Sequence, residues 1–224
     1  MGTKISFTRP DGKMATGYLA KTGHANAPGV VVIQEWWGLQ DQIKGICDRL
    51  ALSGYEALAP DLYAGTVVPY HDSEAAAREM NSLNFLEATD QVVRGAVQYL
   101  GKTGVKVGLT GFCMGGAVAI LGAARIPELA AAVAFYDLPP DGAVNPADIK
   151  IPLQGHYANT DDYITPQRVN SFAAGNSKLE IFRYDADHGF MNEQRDVHQR
   201  VAAELGWERM PSHSTHSPLC DREP

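Results

Sequence analysis

Residues 105–124, VKVGLTGFCMGGAVAILGAA, constrain this chain more than any other stretch. VKVGLT is β-branched and apolar, with the length of a buried strand, and GGAVAILGAA is small, apolar and of helical length. Between them Gly111-Phe112-Cys113-Met114-Gly115 forms a G-x-C-x-G pentapeptide. It matches the G-x-S-x-G nucleophile elbow with sulfur in place of oxygen. A strand that turns this sharply into a helix strains the turn residue, and glycines let the two elements approach closely. The thiol of Cys113 then projects above a sheet, at a helix N-terminus that favours thiolate. The amide of Met114 is free to face an oxyanion. A free cysteine is more often a small buried hydrophobe, so a nucleophile needs partners elsewhere in the chain.

The length of 224 residues suits one large α/β domain with a full core. A net charge of −7 argues against nucleic acid as the main partner. No run has the length of a membrane span, and MGTKISFTRPDGK lacks the apolar core of a signal peptide. Three cysteines, Cys47, Cys113 and Cys220, without a C-x-x-C, suit a reducing compartment, so a cytoplasmic location is expected. His213 and His216 sit in polar surroundings and read as solvated, and no metal site is expected.

Lys4–Thr8 and Met14–Ala20 flank the turn Arg9-Pro10-Asp11-Gly12 and predict an antiparallel hairpin. Gly29–Gln34 is a continuous apolar run, hence a central strand. Helical spacing over Asp41–Ser53 ends at Gly54. Further strands are expected at 56–59, 105–110, 130–136, 149–155 and 178–184. Helices are expected at 74–82 with Ser73 as N-cap, at 85–100, 166–174 and 192–207. Alternating strands and helices predict a mostly parallel sheet of about eight strands with helices on both faces. Residues 1–209 read as one domain. Met210–Pro224, with three prolines and no periodicity, reads as a disordered tail.

A cysteine nucleophile needs a base, and the base an orienting group. The chain order nucleophile, acid, histidine is available. Asp161 and Asp162 follow one strand, His188-Gly189 follows the next, and local spacing does not choose between the two aspartates. Glu35 closes a strand that otherwise reads as buried, where a carboxylate is costly unless paired. Trp36, Trp37, Phe112, Tyr136 and Phe190 are candidates to line a pocket, although aromatics at such positions more commonly pack the core.

Taken together, VVVIQEWWG, GYEALAPDLYAG, VGLTGFCMGG, DDYITP and DADHGFMNE resemble the dienelactone hydrolases (carboxymethylenebutenolidases), a cysteine-using branch of the α/β-hydrolase fold. The resemblance runs from about residue 29 to 207. It implies Cys113 as nucleophile, His188 as base and, through Asp-x-x-x-Pro falling on Asp162–Pro166, Asp162 as orienting acid. It implies that Glu35 takes the thiol proton when substrate binds, and that the amides of Trp36 and Met114 hold the oxyanion. The implied reaction is thioester-forming attack on a lactone or enol ester from aromatic-compound breakdown, without cofactor. Arg78 corresponds to an arginine that reads a substrate carboxylate, with Phe112, Tyr136 and Phe190 beside the substrate. A second such arginine in the family falls on Asn192 here, with Arg195 one turn further.

Loss of that arginine keeps a broader carboxylesterase or thioesterase open. A non-catalytic redox-sensing domain, with Cys113 oxidised reversibly, is a third reading. The partner expected is a small-molecule lactone or ester, with the protein a monomer or weak homodimer.

Overall fold

A computed structural model describes residues 1–214, with the side chains of 211–214 excepted. Eight strands form one sheet: β1 (Thr3–Thr8), β2 (Met14–Ala20), β3 (Gly29–Ile33), β4 (Glu56–Pro60), β5 (Val107–Phe112), β6 (Ala131–Phe135), β7 (Leu153–Ala158) and β8 (Glu180–Tyr184). Their spatial order is β1-β2-β4-β3-β5-β6-β7-β8. β1–β2 and β2–β4 are antiparallel, and every other pair is parallel. Parallel neighbours need crossovers, which the helices supply. These are α1 (Asp41–Leu52), α2 (Ser73–Ser82), α3 (Phe85–Glu87), α4 (Arg94–Leu100), α5 (Met114–Arg125), α6 (Pro166–Ala174) and α7 (Arg200–Ser214). Helices α3 and α4 are joined by a π-helical turn, Ala88–Val93.

The strand period of two divides the core. On β3, Val30 and Val32 face α1 and α7, whereas Val31 and Ile33 face α4 and α5. Helix α1 forms because Ile43, Ile46, Cys47 and Leu50 share one buried stripe. Full burial of each aliphatic side chain contributes roughly 1.5–3 kcal/mol. Gly54 stops the helix at φ 95°, a conformation that costs glycine little.

Boundaries differ from expectation where tertiary contacts decide them. The N-cap of α2 is Asp72, which accepts the Ala75 amide, rather than Ser73. Helix α7 begins at Arg200, not near 192, because Asn192 turns inward and accepts the Gln194 amide. Helix α7 continues to Ser214, past the point expected for the tail. Residues 215–224, with His216 and Cys220, lie outside the described residues. Among the described residues no helix is long and apolar enough to cross a membrane.

Candidate active site

The carboxyl ends of β3, β5, β6, β7 and β8 point the same way, and the loops that leave them converge on Cys113. Cys113 itself has φ 51° and ψ −126°. For a non-glycine residue this is a strained backbone, at a cost of about 1–3 kcal/mol. Three glycines make the turn possible. A Cβ on Gly111 would collide with the Gly115 carbonyl. One on Gly115 would lie 2.5 Å from the Ile33 oxygen, and one on Gly116 2.5 Å from the Phe135 oxygen. The Cys113 amide donates to the Phe135 carbonyl at 3.1 Å, tying the elbow to β6.

His188 follows β8 and is half-buried. Its Nδ1 donates to Asp161 Oδ2 at 2.7 Å, and the ring lies close enough to Cys113 for each group to act on the other's ionisation. The other oxygen of Asp161 accepts the amides of Tyr163 at 2.8 Å and Ile164 at 2.9 Å. Asp162 is exposed and makes no such contact, so the aspartate on His188 is Asp161. The Asp-x-x-x-Pro spacing misleads because Thr165 caps α6 and Pro166 fills its first turn. Buried Ile164, three residues after Asp161, is the signal that marks the inward side of this loop.

Glu35 follows β3 and is 2% exposed. Tyr136 donates its hydroxyl to Oε1 at 2.9 Å, and Asn192 donates Nδ2 to Oε2 at 2.8 Å. Tyr136 is held at φ 43°, a second strained residue beside the elbow. Spacing alone did not single out Asn192 as a partner of Glu35.

Burial pushes the Cys113 thiol up, with Asp137 and Glu35 adding to it and His188 opposing. For His188, burial lowers the value, but Asp161 and a Cys113 thiolate outweigh it and push the imidazole up to about 11. The thiolate's share is present only when Cys113 is ionised. Burial also works to raise Asp161, yet His188 and the two amides hold it below the usual carboxylate range. Glu35 is pushed up by burial, against the bonds from Asn192 and Tyr136. Asp137, next to Tyr136 in the chain, is pushed up by burial to about 6.

The other sequence candidates fall elsewhere. Phe112 and Phe190 are wholly buried core, Phe112 stacking on Phe135 at 4.7 Å and Phe190 meeting Tyr136 at 5.2 Å. They shape the floor and do not face solvent. Arg78 is 69% exposed on α2, with Glu74 as its ionic partner at 4.0 Å. Trp37 packs with Tyr70, Val68 and Ala76 in a small cluster, and Trp36 bridges that cluster to the core that holds Met114. Tyr163, unremarked in the sequence, is exposed and meets His188 edge-on at 5.8 Å. Among the described residues there is no group of three His, Cys, Asp or Glu able to hold a metal ion.

Residues 15–215 match the model of the Dienelactone hydrolase family. The chain belongs to that family. This dienelactone hydrolase family member is therefore a carboxylic ester hydrolase by class. It is similar to a protein of Aquifex aeolicus named "Putative carboxymethylenebutenolidase", 33% identical over 93% of this chain and 95% of the relative. A protein of the same name from Escherichia coli K12 is 36% identical over 82% of this chain and 74% of the relative. The crystal structure of a "Putative Dienelactone Hydrolase" from Klebsiella pneumoniae superposes with a TM-score of 0.83 at 29% identity, covering 97% of this chain and all of that one.

Proposed function

We propose that this family member hydrolyses a lactone or enol ester through a thioester on Cys113. The observation that carries the reading is the hydrogen-bonded pair His188–Asp161 set beside Cys113 at a strained strand–helix turn, with buried Glu35 next to it. A resting thiol held up by burial resists oxidation, since reactivity follows thiolate character.

On substrate binding, Cys113 gives its proton to Glu35 and its sulfur bonds to the carbonyl carbon. The carbonyl π pair moves to oxygen, which the amides of Met114 and Trp36 stabilise in this reading. Neither amide is given to another group among the described residues. Collapse of the tetrahedral species breaks the carbon–oxygen bond. An enolate leaves unaided as the anion, whereas an alkoxide takes up the proton that Glu35 received from the thiol. Water then attacks the thioester and gives a proton to neutral His188. The carbon–sulfur bond breaks, and the thiolate recovers its proton from Glu35 or, where an alkoxide has taken that one, from His188. Any proton left on His188 passes to the enolate. Asp161 holds His188 in the tautomer with Nδ1 protonated, which aims Nε2 at the reacting atoms.

A broader ester range is favoured by one observation: Asn192 stands where a carboxylate-reading arginine would be, and Arg78 points outward. A reaction in a reducing, cytoplasmic setting is part of the same proposal. The experiment is turnover of a dienelactone and of p-nitrophenyl acetate by the parent and Cys113→Ala, with mass spectrometry for the acyl adduct. Loss of both turnover and adduct is expected in the variant. Undiminished turnover sinks the reading. A parent rate on the aryl ester far above that on the dienelactone selects the broader esterase.

A further inference from the structure

Glu35 is a nearly inaccessible carboxylate with a donor on each oxygen, and both donors are uncharged. Asn192 itself is wholly buried. The direction of its amide is fixed, because Oδ1 accepts the Gln194 amide at 3.0 Å. The NH2 end must therefore face Glu35, and its second hydrogen extends toward the Tyr70 hydroxyl at 3.4 Å. The Tyr70 ring meets Trp37 edge-on at 5.4 Å, two residues beyond Glu35. One amide thus links the loop after β8, the loop before α2 and the end of β3.

We propose that Asn192 is a positioning residue for hydrolysis: it sets the orientation of Glu35 and, through neutral donors alone, leaves that carboxylate able to take and return a proton. The proposal rests on the reading of Glu35 as acceptor of the Cys113 proton. A guanidinium bound to Glu35 would hold it ionised through charge as well as hydrogen bonds. Here the cation in the neighbourhood, Arg195, stacks over Trp37 at 5.3 Å instead. The groups around Glu35 are Tyr136 after β6, Cys113 after β5, Tyr70 before α2, and His188, Asn192 and Arg195 after β8. Burial favours the protonated form, while the bonds from Asn192 and Tyr136, and after them the charges of Arg195 and His188 acting without a hydrogen bond, favour the ionised one. Removing the Asn192 donor therefore leaves burial less opposed. Glu35 would lose its proton only at a higher pH, and fewer molecules would be ready to accept one from the thiol.

The test is the pH profile of kcat/KM on p-nitrophenyl acetate for the parent, Asn192→Leu, Glu35→Gln and the double variant. Leucine keeps the branched shape and deletes both donors, together with the oxygen that accepts the Gln194 amide. Asn192→Leu is expected to lower kcat/KM at pH 7 at least about tenfold, short of losing a whole acid–base group, and to move the acidic limb upward. In the Glu35→Gln background the same change should add little. An unmoved limb in Asn192→Leu, or an equal loss with and without Glu35, overturns the proposal. If Glu35→Gln alone keeps the parent profile, the reading beneath it fails, and this proposal with it. Thermal melts check folding; Asn192→Ser, which deletes the amide while keeping a small polar group, takes the place of a leucine variant that does not fold.

Discussion

Asp161 spends its two oxygens on different tasks: one accepts His188 Nδ1 at 2.7 Å, and the other accepts the backbone amides of Tyr163 and Ile164. The carboxylate that orients the imidazole is therefore itself locked by its own loop. Asp161→Asn should keep the turn, since an amide oxygen still accepts the two backbone bonds. With that oxygen on the two amides, the NH2 faces His188 and cannot accept from Nδ1. A loss in kcat of roughly 100-fold or more is expected. Asp162→Asn, one residue away and exposed, should stay within about twofold of the parent, because surface changes of this kind perturb little. Steady-state kinetics on one aryl ester separates the two, and equal losses would mean the loop pairs differently in solution.

The elbow makes a stability prediction that needs no substrate. A Cβ at Gly115 would meet the Ile33 carbonyl at 2.5 Å, and the Gln34 carbonyl at 2.6 Å. Both are strand backbone and cannot swing aside. Gly115→Ala should cost roughly 2–3 kcal/mol in urea unfolding, as large core clashes do. Gly45, inside α1, has nothing within 4 Å of its Cβ position. Gly45→Ala should instead stabilise by about 0.5–1 kcal/mol, since alanine loses less backbone freedom in a helix. The opposite signs of the two changes are the test.

Much of this arrangement is legible in the chain because its signals are local. The G-x-C-x-G turn, the apolar run of β3 and the hairpin turn at Arg9–Gly12 each fix their own element. The order Cys113, aspartate, His188 follows from strand order, which the sheet preserves. What spacing does not carry is side-chain direction within a loop. Asp161 and Asp162 differ only in which way an irregular turn points them, and that is set by amides at 163 and 164. Asn192 was expected to begin a helix, yet it leaves the helical path to reach a carboxylate 157 positions earlier. Phe112 and Phe190 carry the same apolar signature whether they line a pocket or floor it.

Arg78 provides a direct check on substrate charge. Its guanidinium lies on the solvent side of α2, within 4.0 Å of Glu74 one turn back. Exposed pairs of this kind contribute little to stability. Arg78→Ala should leave KM for an anionic lactone and for a neutral ester within about twofold of the parent. A selective rise of KM for the anionic substrate, read from initial rates, would mean that α2 closes over the site in the complex.

Asp137 supplies the pH dependence. Its carboxyl is pushed up by burial to about 6 from an ordinary 3.8, against His188, the Leu138 amide and Arg168. The unfolded chain therefore releases this proton first. Between about pH 4 and pH 6 the folded state holds more protons than the unfolded one, so this group's contribution to stability falls as pH rises. Above pH 6 the full penalty of an ionised, desolvated carboxylate is present; below pH 4 it is absent. Asparagine cannot ionise, and its side-chain oxygen can still accept the Leu138 amide as Asp137 Oδ1 does at 2.7 Å. Asp137→Asn should thus be more stable than the parent at pH 7.5 by about 1–3 kcal/mol, the upper figure being the undiscounted shift. At pH 4 the two should melt together. Urea midpoints for both proteins at the two pH values decide it: a stability difference that does not change between them would place the Asp137 carboxylate in contact with water.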